Sequence, residues 1–326
     1  MKQWIAGVDI GGTAIKIALL TPDGELVARL QEATPLHAGE DGIMQKVAEM
    51  IHTLMQQNDC TPDGACGIGV GVPGPVDADN GVVLQAVNLH WKQPVALQAK
   101  LQALTGLPVA VDNDANTAAL GEMWRGAGQG AKDLVVLTLG TGIGGGVIID
   151  GKIVHGINGV GGEIGHITMT PHSGCACNCG KTGCLETYSS ATALIREGRL
   201  AAAAGASPML AQMLAANGDI QAKDVLDAAK AGDQAASAIV DQAVTYLGLA
   251  LSHLGMVLNP SRIVIGGGVA LAGDFLFSRL RQAFARYIPF SYVRESTQII
   301  PASLGNDAGV YGAAWLIRSR MNPAYE

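Results

Sequence analysis

Apolar and polar positions alternate between two periods along the chain. From Trp4 to Val27 the apolar residues form short runs broken by turn residues. Ile5 to Ile10 and Ile15 to Leu20 flank Gly11-Gly12-Thr13, and Asp23-Gly24 follows, which predicts three strands joined by tight turns. The period then lengthens. Ile43, Val47, Met50, Ile51 and Leu54 recur at helical spacing. Gly67 to Val72 reads as a buried strand ending at Pro73-Gly74-Pro75. Pro94 opens a predicted short helix with Leu97, Leu101 and Leu104 inside and Gly106 as its stop. Val109 to Val111 is a strand delivering Asp112-Asn113-Asp114-Ala115-Asn116 to the start of a helix that ends near Gly126. Residues 133–154 repeat the opening order of strand, Gly/Thr turn, strand, Asp-Gly turn and strand, with Asp150-Gly151 in the place of Asp23-Gly24. This is an internal repeat of one structural unit.

Beyond residue 190 the pattern is helical. Val240, Val244, Leu247, Leu251 and Leu254 form one stripe, stopped at Asn259-Pro260. Arg262 to Ile265 is a strand feeding Gly266-Gly267-Gly268. A helix with Leu276, Leu280 and Phe284, a strand at Gln298 to Pro301 and a helix from Asn306-Asp307-Ala308-Gly309 complete the order. The expected class is α/β, in two lobes. A smaller N-terminal lobe spans 1–116, with the C-terminal helix at about 306–326 packed back on it, and a larger lobe spans 117–305.

Composition sharpens this. The 326 residues are 48% hydrophobic and 15% charged, as a globular chain with a real core should be. A net charge of −7 without a Lys/Arg cluster argues against a nucleic-acid partner. No apolar run is expected to span a bilayer, and the N-terminus has no signal-peptide character. Four of six cysteines lie between Cys175 and Cys184, which suits a cytoplasmic protein with a local metal cluster.

The glycine turns suggest anion binding. Asp9-Ile10-Gly11-Gly12-Thr13 and Gly140-Thr141-Gly142 expose backbone N–H groups and a threonine hydroxyl to an anionic oxygen. Gly267-Gly268 forms a third such loop. None has P-loop spacing, and neither of the first two precedes a helix as a dinucleotide fingerprint would. Two matching turns and a third loop point to a nucleotide. Lys16 either reaches a phosphate or is solvated. Asp9 is either a turn cap or a Mg²⁺ ligand acting through water.

Asp114 has two readings: a helix cap, or a general base that takes the proton of a sugar hydroxyl attacking a γ-phosphoryl group. Asn113 suits a sugar hydroxyl. Downstream, His166 with Cys177, Cys179 and Cys184 makes the donor set of a closed structural Zn²⁺ site. Cys175 and His172 compete for a place in it. Clamping His166 and Cys184 would fix Glu163 and Glu186, which otherwise read as solvated charges, beside a small polyhydroxylated ligand.

DIGGT at 9–13, VPGPVD at 72–77, NDAN at 113–116, LGTGIGGG at 139–146, GGEIGH at 161–166 and CNCGKTGCLE at 177–186 resemble the ROK family of repressors, open reading frames and kinases. The resemblance covers almost the whole chain. NDANTAALGEMWRGAG and VHGINGVGGEIGH are similar to the family's bacterial glucose kinases. It implies an actin-like, hexokinase-type ATPase fold, with duplicated mixed-sheet units flanking a cleft. It implies ATP- and Mg²⁺-dependent phosphorylation of glucose at O6, with Asp114 as base. Gly74, Asn113, Glu163, His166 and Glu186 would hold the sugar. Asp9, Gly11, Gly12, Thr13, Lys16, Gly140, Thr141 and Gly142 would lie at the phosphates, and Gly267 and Gly268 near the adenosine. His166, Cys177, Cys179 and Cys184 would hold zinc, Cys175 falling outside the family pattern. Homodimers or homotetramers are the implied assemblies. Kinases of N-acetylmannosamine, N-acetylglucosamine or fructose share these motifs. A sugar-sensing regulator would need an N-terminal helix-turn-helix ahead of the strand that begins here at Trp4.

Overall fold

The computed structural model describes residues 3–321; the last five residues of the C-terminal helix expected at about 306–326 lie outside them. In chain order the first elements are β1 (Trp4–Ile10), β2 (Ala14–Leu20), β3 (Leu26–Ala33), α1 (Gly39–Gln57), β4 (Ala65–Val72), β5 (Val76–Asp77), β6 (Val82–Val83), α2 (Leu97–Thr105), β7 (Val109–Asn113) and α3 (Asp114–Trp124). Next come β8 (Leu134–Leu139), β9 (Ile143–Ile149), β10 (Lys152–Ile153), α4 (Glu186–Ser189), α5 (Ala191–Ala203), α6 (Pro208–Asn217), α7 (Ala222–Lys230) and α8 (Gln234–Leu258). Finally β11 (Arg262–Gly266), α9 (Asp274–Tyr287), α10 (Ser291–Ser296), β12 (Gln298–Pro301) and α11 (Ala308–Met321) complete the chain. Two compact units result. One gathers residues 3–132, 146–162 and 303–321, and the other gathers 133–145 and 163–302.

Each five-stranded sheet has the same order. The first runs β3-β2-β1-β4-β7 and the second β10-β9-β8-β11-β12. In both, an opening meander is followed by two strands that add in parallel. The repeat read from the two Gly/Thr turns is therefore a repeat of topology. In the first sheet Asp9 pairs across to Lys16 on β2 and Gly71 on β4, while Gly71 pairs with Asp112 on β7. Register thus lines up Asp9, Gly71 and Asp112 near the C-terminal ends of three parallel strands, where open α/β sheets place ligands.

The core of the first unit follows the predicted periods. Ile43, Val47, Met50, Ile51 and Leu54 of α1 are buried with Trp4, Val8, Ile15, Ile17 and Val70 of the sheet. Gly106, in the left-handed conformation, ends α2 as expected. Leu104 does not join the core: only Leu97 and Leu101 of α2 are buried, and Leu104 is exposed at the end of a helix of nine residues.

On the other face lies α11, which packs most extensively on α3 and also covers β1 and β4. A Cβ at Gly69 would lie 1.6 Å from the Ala313 carbonyl oxygen, and one at Gly312 would lie 1.5 Å from that of Thr117. Backbone meets backbone, with no room for a methyl group. The buried carboxylate of Glu122 on α3 fixes the approach to α11. It accepts from the backbone N–H groups of Ser303 (3.1 Å) and Leu304 (2.8 Å), and from that of Ala127 (2.8 Å).

In the second unit α8 is the central helix. Asp233 caps its N-terminus by accepting from the Ala236 N–H, and Asn259 ends it in the left-handed region. Val240, Val244, Leu247 and Leu251 are buried, and α7 and α9 pack on the helix. At 25 residues α8 is long and apolar enough by length and composition to cross a membrane. That corrects the expectation that no segment would reach this threshold. Half of its most apolar window is already buried in the unit, as in a core helix.

The seam gives a direct test. Gly312→Ala forces α11 and α3 apart and is expected to cost about 1–3 kcal/mol, the usual range for overpacking a tight interface. Chemical denaturation followed by far-UV circular dichroism would show it; unchanged stability would mean the seam relaxes freely.

Candidate functional site

In the first unit the chemistry collects where β1, β4 and β7 end. The Gly11 N–H donates to the Ala14 carbonyl (2.9 Å), closing the β1–β2 turn. Thr34 holds that turn from outside, its N–H donating to the Thr13 carbonyl (3.1 Å) and its hydroxyl to that of Gly11 (2.6 Å). The N–H groups of Gly12 and Thr13 donate to nothing among the described residues, so they remain available to an anion. Lys16 is anchored: its Nζ lies 3.4 Å from Asp9 Oδ2 and donates to the Asn306 carbonyl (3.2 Å) just ahead of α11. Gly309, in the first turn of α11, lies so close to Asp9 that a Cβ would stand 3.1 Å from the carboxylate carbon.

The β7–α3 turn resolves the capping question. Asn113, not Asp114, is the N-cap: its Oδ1 accepts from the Ala115 N–H (2.8 Å) and the Asn116 N–H (3.3 Å). Its Nδ2 donates to the Gly74 carbonyl (3.0 Å), so Asn113 and Gly74 meet and the Asn113 oxygen is committed to the helix. Asp114 is the first residue of α3. It is exposed; its Oδ1 accepts from the Ala115 N–H (2.9 Å), and its backbone carbonyl accepts from the Thr117 hydroxyl (2.9 Å). Crowding by protein raises its pKa, and the Asp9 charge raises it further, against the lowering pull of the helix-start N–H groups. Asp9 is raised too, by burial, with Lys16 opposing. Two carboxylates that feel each other's charge, with one lysine between the strands, form a place where a divalent cation relieves repulsion.

A pair the sequence reading did not single out lies beneath this turn. Asp112 is fully buried. Its Oδ1 accepts from the Asn113 N–H (2.7 Å) and Asn116 Nδ2 (2.9 Å), and its Oδ2 is 2.7 Å from His155 Nε2. The signal was a carboxylate inside an apolar strand, which demands a partner.

In the second unit the β8–β9 turn is the counterpart. Gly140 N–H donates to the Gly142 carbonyl (3.0 Å), and the Thr192 hydroxyl donates to the Thr141 carbonyl (2.7 Å). Glu186 packs on this turn: Oε2 accepts from the Ile143 N–H (2.9 Å) and lies 2.1 Å from where a Cβ on Gly142 would stand. Gly142 must therefore be glycine, and Glu186 is only half-exposed to a ligand. Gly267 and Gly268 follow β11; both are exposed, and nothing lies near the missing Cβ of Gly268.

The four expected metal donors converge. One donor atom each from His166, Cys177, Cys179 and Cys184 lies within 4.8 Å of every other. Zinc bonds of about 2.3 Å to sulfur and about 2.0–2.1 Å to nitrogen make tetrahedral edges of about 3.8 Å for sulfur pairs and about 3.5 Å for sulfur–nitrogen pairs. Cys179 Sγ to Cys184 Sγ is 3.6 Å, and Cys177 Sγ to His166 Nδ1 is 3.5 Å. These two pairs already have the spacing of a tetrahedral ion's edges. Cys175 and His172 are not in the group. Burial pushes the Cys184 thiol up to about 12 and raises Cys177, while the Lys181 backbone N–H lowers Cys179. Since Nδ1 of His166 faces the sulfurs, Nε2 faces outward, 3.8 Å from Glu163 Oε2. Glu163 is exposed, and Lys181 steadies His166 by donating to its carbonyl (2.8 Å).

The first unit thus assembles Asp9, Gly11, Gly12, Thr13, Lys16, Gly74, Asn113 and Asp114. The second assembles Gly140, Thr141, Gly142, Glu163, His166, Glu186, Gly267, Gly268 and the cysteines. The buried pair generates a pH prediction. Its hydrogen bond to Asp112 is the chief cause that raises the His155 pKa above 6.5; Asp79 adds to this and Arg320 opposes it. The pair's ionic contribution is therefore complete below pH 6.5 and is lost as pH rises through the folded-state value. Denaturation of wild type and His155→Gln between pH 5.5 and 9 should show the wild-type advantage shrinking upward; a constant difference would refute it.

The ROK family pattern matches residues 5–320. A glucokinase of Halalkalibacterium halodurans is 45% identical over 320 residues, 98% of this chain and 96% of that protein. A xylose repressor of Caldicellulosiruptor bescii is 32% identical over 85% of this chain and 69% of its own length. The crystal structure of a ROK family glucokinase from Streptomyces griseus in complex with glucose and AMPPNP superposes with a TM-score of 0.79 at 35% identity, covering 97% of this chain and 99% of that one. The repeated mixed sheets, the paired glycine turns and the Cys₃His cluster therefore have one explanation: the chain belongs to the ROK family.

Proposed function

We propose that this chain is a glucokinase that transfers the γ-phosphoryl group of ATP to O6 of glucose, giving glucose 6-phosphate and ADP. The observation that carries the reading is the state of Asp114. It is relieved of capping duty by Asn113, open to solvent, and held at a pKa above that of an ordinary aspartate. A carboxylate so placed accepts the O6 proton as the oxygen attacks phosphorus. The high similarity to a glucokinase over nearly the whole chain supports glucose as substrate.

The other residues have distinct tasks in this reading. The N–H groups of Gly12 and Thr13 and the turn at Gly140, Thr141 and Gly142 receive phosphate oxygens, with Lys16 beside Asp9 as a positive charge. Gly267 and Gly268 leave room for the adenosine. Glu163, the outward Nε2 of His166 and Glu186 Oε1 accept from or donate to sugar hydroxyls in this reading, as do Asn113 and Gly74. Mg²⁺ supplies charge neutralisation at the phosphates, and Asp9 would hold it through water. Zn²⁺ would be held by His166, Cys177, Cys179 and Cys184, leaving no position for chemistry. ATP as donor, a cytoplasmic setting and a homodimer or homotetramer belong to the same proposal.

Asp114→Ala is expected to lower turnover by at least about 10²–10⁴, the range for a positioned base, while glucose binding persists in calorimetry. The assay is ADP release across hexoses and N-acetylhexosamines. Wild-type turnover by the variant would remove Asp114 as base, and preference for an N-acetylhexosamine would remove glucose as substrate. Elemental analysis should find one zinc per chain, and Cys179→Ser should lose it together with glucose binding. A metal-free protein of full activity would sink the zinc assignment.

A further inference from the structure

We propose that His155 is a positioning residue for phosphoryl transfer: through Asp112 it holds the Asn113–Asp114 turn in the geometry that presents the base. The proposal rests on the reading of Asp114 as base.

The argument starts from Asp112. A fully buried carboxylate must have each oxygen satisfied. Oδ1 is satisfied locally, by the Asn113 N–H and by Asn116 Nδ2 from the next turn of α3. Oδ2 has only His155 among the described residues, at 2.7 Å. Asn113 in turn caps α3 and reaches across to the Gly74 carbonyl. The turn carrying Asp114 is therefore pinned from three directions: by its own helix, by Gly74 and, through Asp112, by His155. Removing His155 frees one oxygen of Asp112 in a dry site. The carboxylate must then turn towards water or find another donor, and either movement pulls on the Asn113 N–H and Asn116 that it now holds.

His155 is not a core residue that merely fills space. Its side chain is about one-third exposed and lines an open recess of about 410 Å³ with Asp77, Asn80 and Gly156. Losing the ring therefore removes the hydrogen bond to Asp112 at the edge of that recess. The residue also closes its own loop: the Gly161 N–H donates to the His155 carbonyl at 2.7 Å. The loop that leads on to Glu163 thus has its root fixed at the strand carrying the base.

The test compares wild type, His155→Gln, His155→Ala and Asp114→Ala, measuring kcat and KM for glucose and ATP, with thermal unfolding of each variant. Glutamine places an N–H donor near the position of Nε2; alanine removes it. His155→Ala should lower kcat by on the order of tenfold to a hundredfold, the scale of a displaced catalytic group. Both KM values should stay within about threefold, as for an interaction expressed in the transition state. His155→Gln should recover most of kcat. If His155→Ala does not fold, His155→Asn, whose amide is too short to reach Asp112, takes its place against the glutamine variant. Turnover within twofold of wild type, equal losses in the glutamine and alanine variants, or a loss matching the unfolded fraction would each overturn the proposal. An inactive Asp114→Ala beside a full-rate His155→Ala overturns this inference alone. An active Asp114→Ala overturns the base assignment and this inference with it.

Discussion

The seam between α11, α3 and the first sheet is the constraint on which the proposed catalytic half depends. At Gly69 and Gly312 the approaching carbonyl oxygens occupy the volume a methyl group would need. Such an interface has little freedom to slide, because dispersion contacts fall steeply with separation and interiors are packed like crystals. Its consequence is positional. Gly309 at the start of α11 lies against Asp9, and Thr117 on α3, whose carbonyl faces Gly312, donates its hydroxyl to the Asp114 carbonyl at 2.9 Å. Asp9 and the backbone of Asp114 are thus both tied to this packing contact.

The second unit solves the same problem with different chemistry. Between Glu163 and Glu186 the chain has one short helical turn, Ile164–His166, and several exposed residues. So little apolar burial cannot by itself hold two carboxylates and an imidazole in place. An ion held by the four donors, as proposed, would add a cross-link there, since metal binding would then be folding free energy. Glu186 then carries the order outward: one oxygen accepts from Ile143 and packs on Gly142, while the other faces Cys177 at 3.8 Å. Glu186 thus links the glycine turn to the Cys₃His cluster.

Much of this was legible in the sequence because it is local. The strand at Gln298–Pro301, the stop at Gly106 and the matching Gly/Thr turns all follow from short-range rules of period and turn chemistry. The metal donors were legible because three of the four fall within eight residues and their side chains have few other uses. Leu104 was misread because a two-turn helix leaves its last apolar residue at the rim. The cap was open between two readings at Asp114 and fell to Asn113, a choice decided by backbone angles one residue apart. The Asp112–His155 pair was not legible. Its members are 43 positions apart, and His155 sits in a glycine-rich loop with no period to betray which way it faces.

What that pair adds is a reason for the electrostatic design of the turn. Asp112, Asp114 and Asp9 put three carboxylates near the ends of neighbouring strands. Each is handled differently. Asp112 is buried and hydrogen-bonded by its own turn and by His155; Asp9 is paired with Lys16; Asp114 accepts from the N–H groups at the start of α3. A base must be ionised at working pH and still hold its proton well enough to compete for one. That calls for a carboxylate above its ordinary pKa but not neutral. Crowding by surrounding protein and the Asp9 charge push Asp114 upward, and the N–H groups at the start of α3 limit the rise. In the proposed mechanism Asp112 thus acts by holding the turn, and its partner His155 comes from the loop that runs on to Glu163.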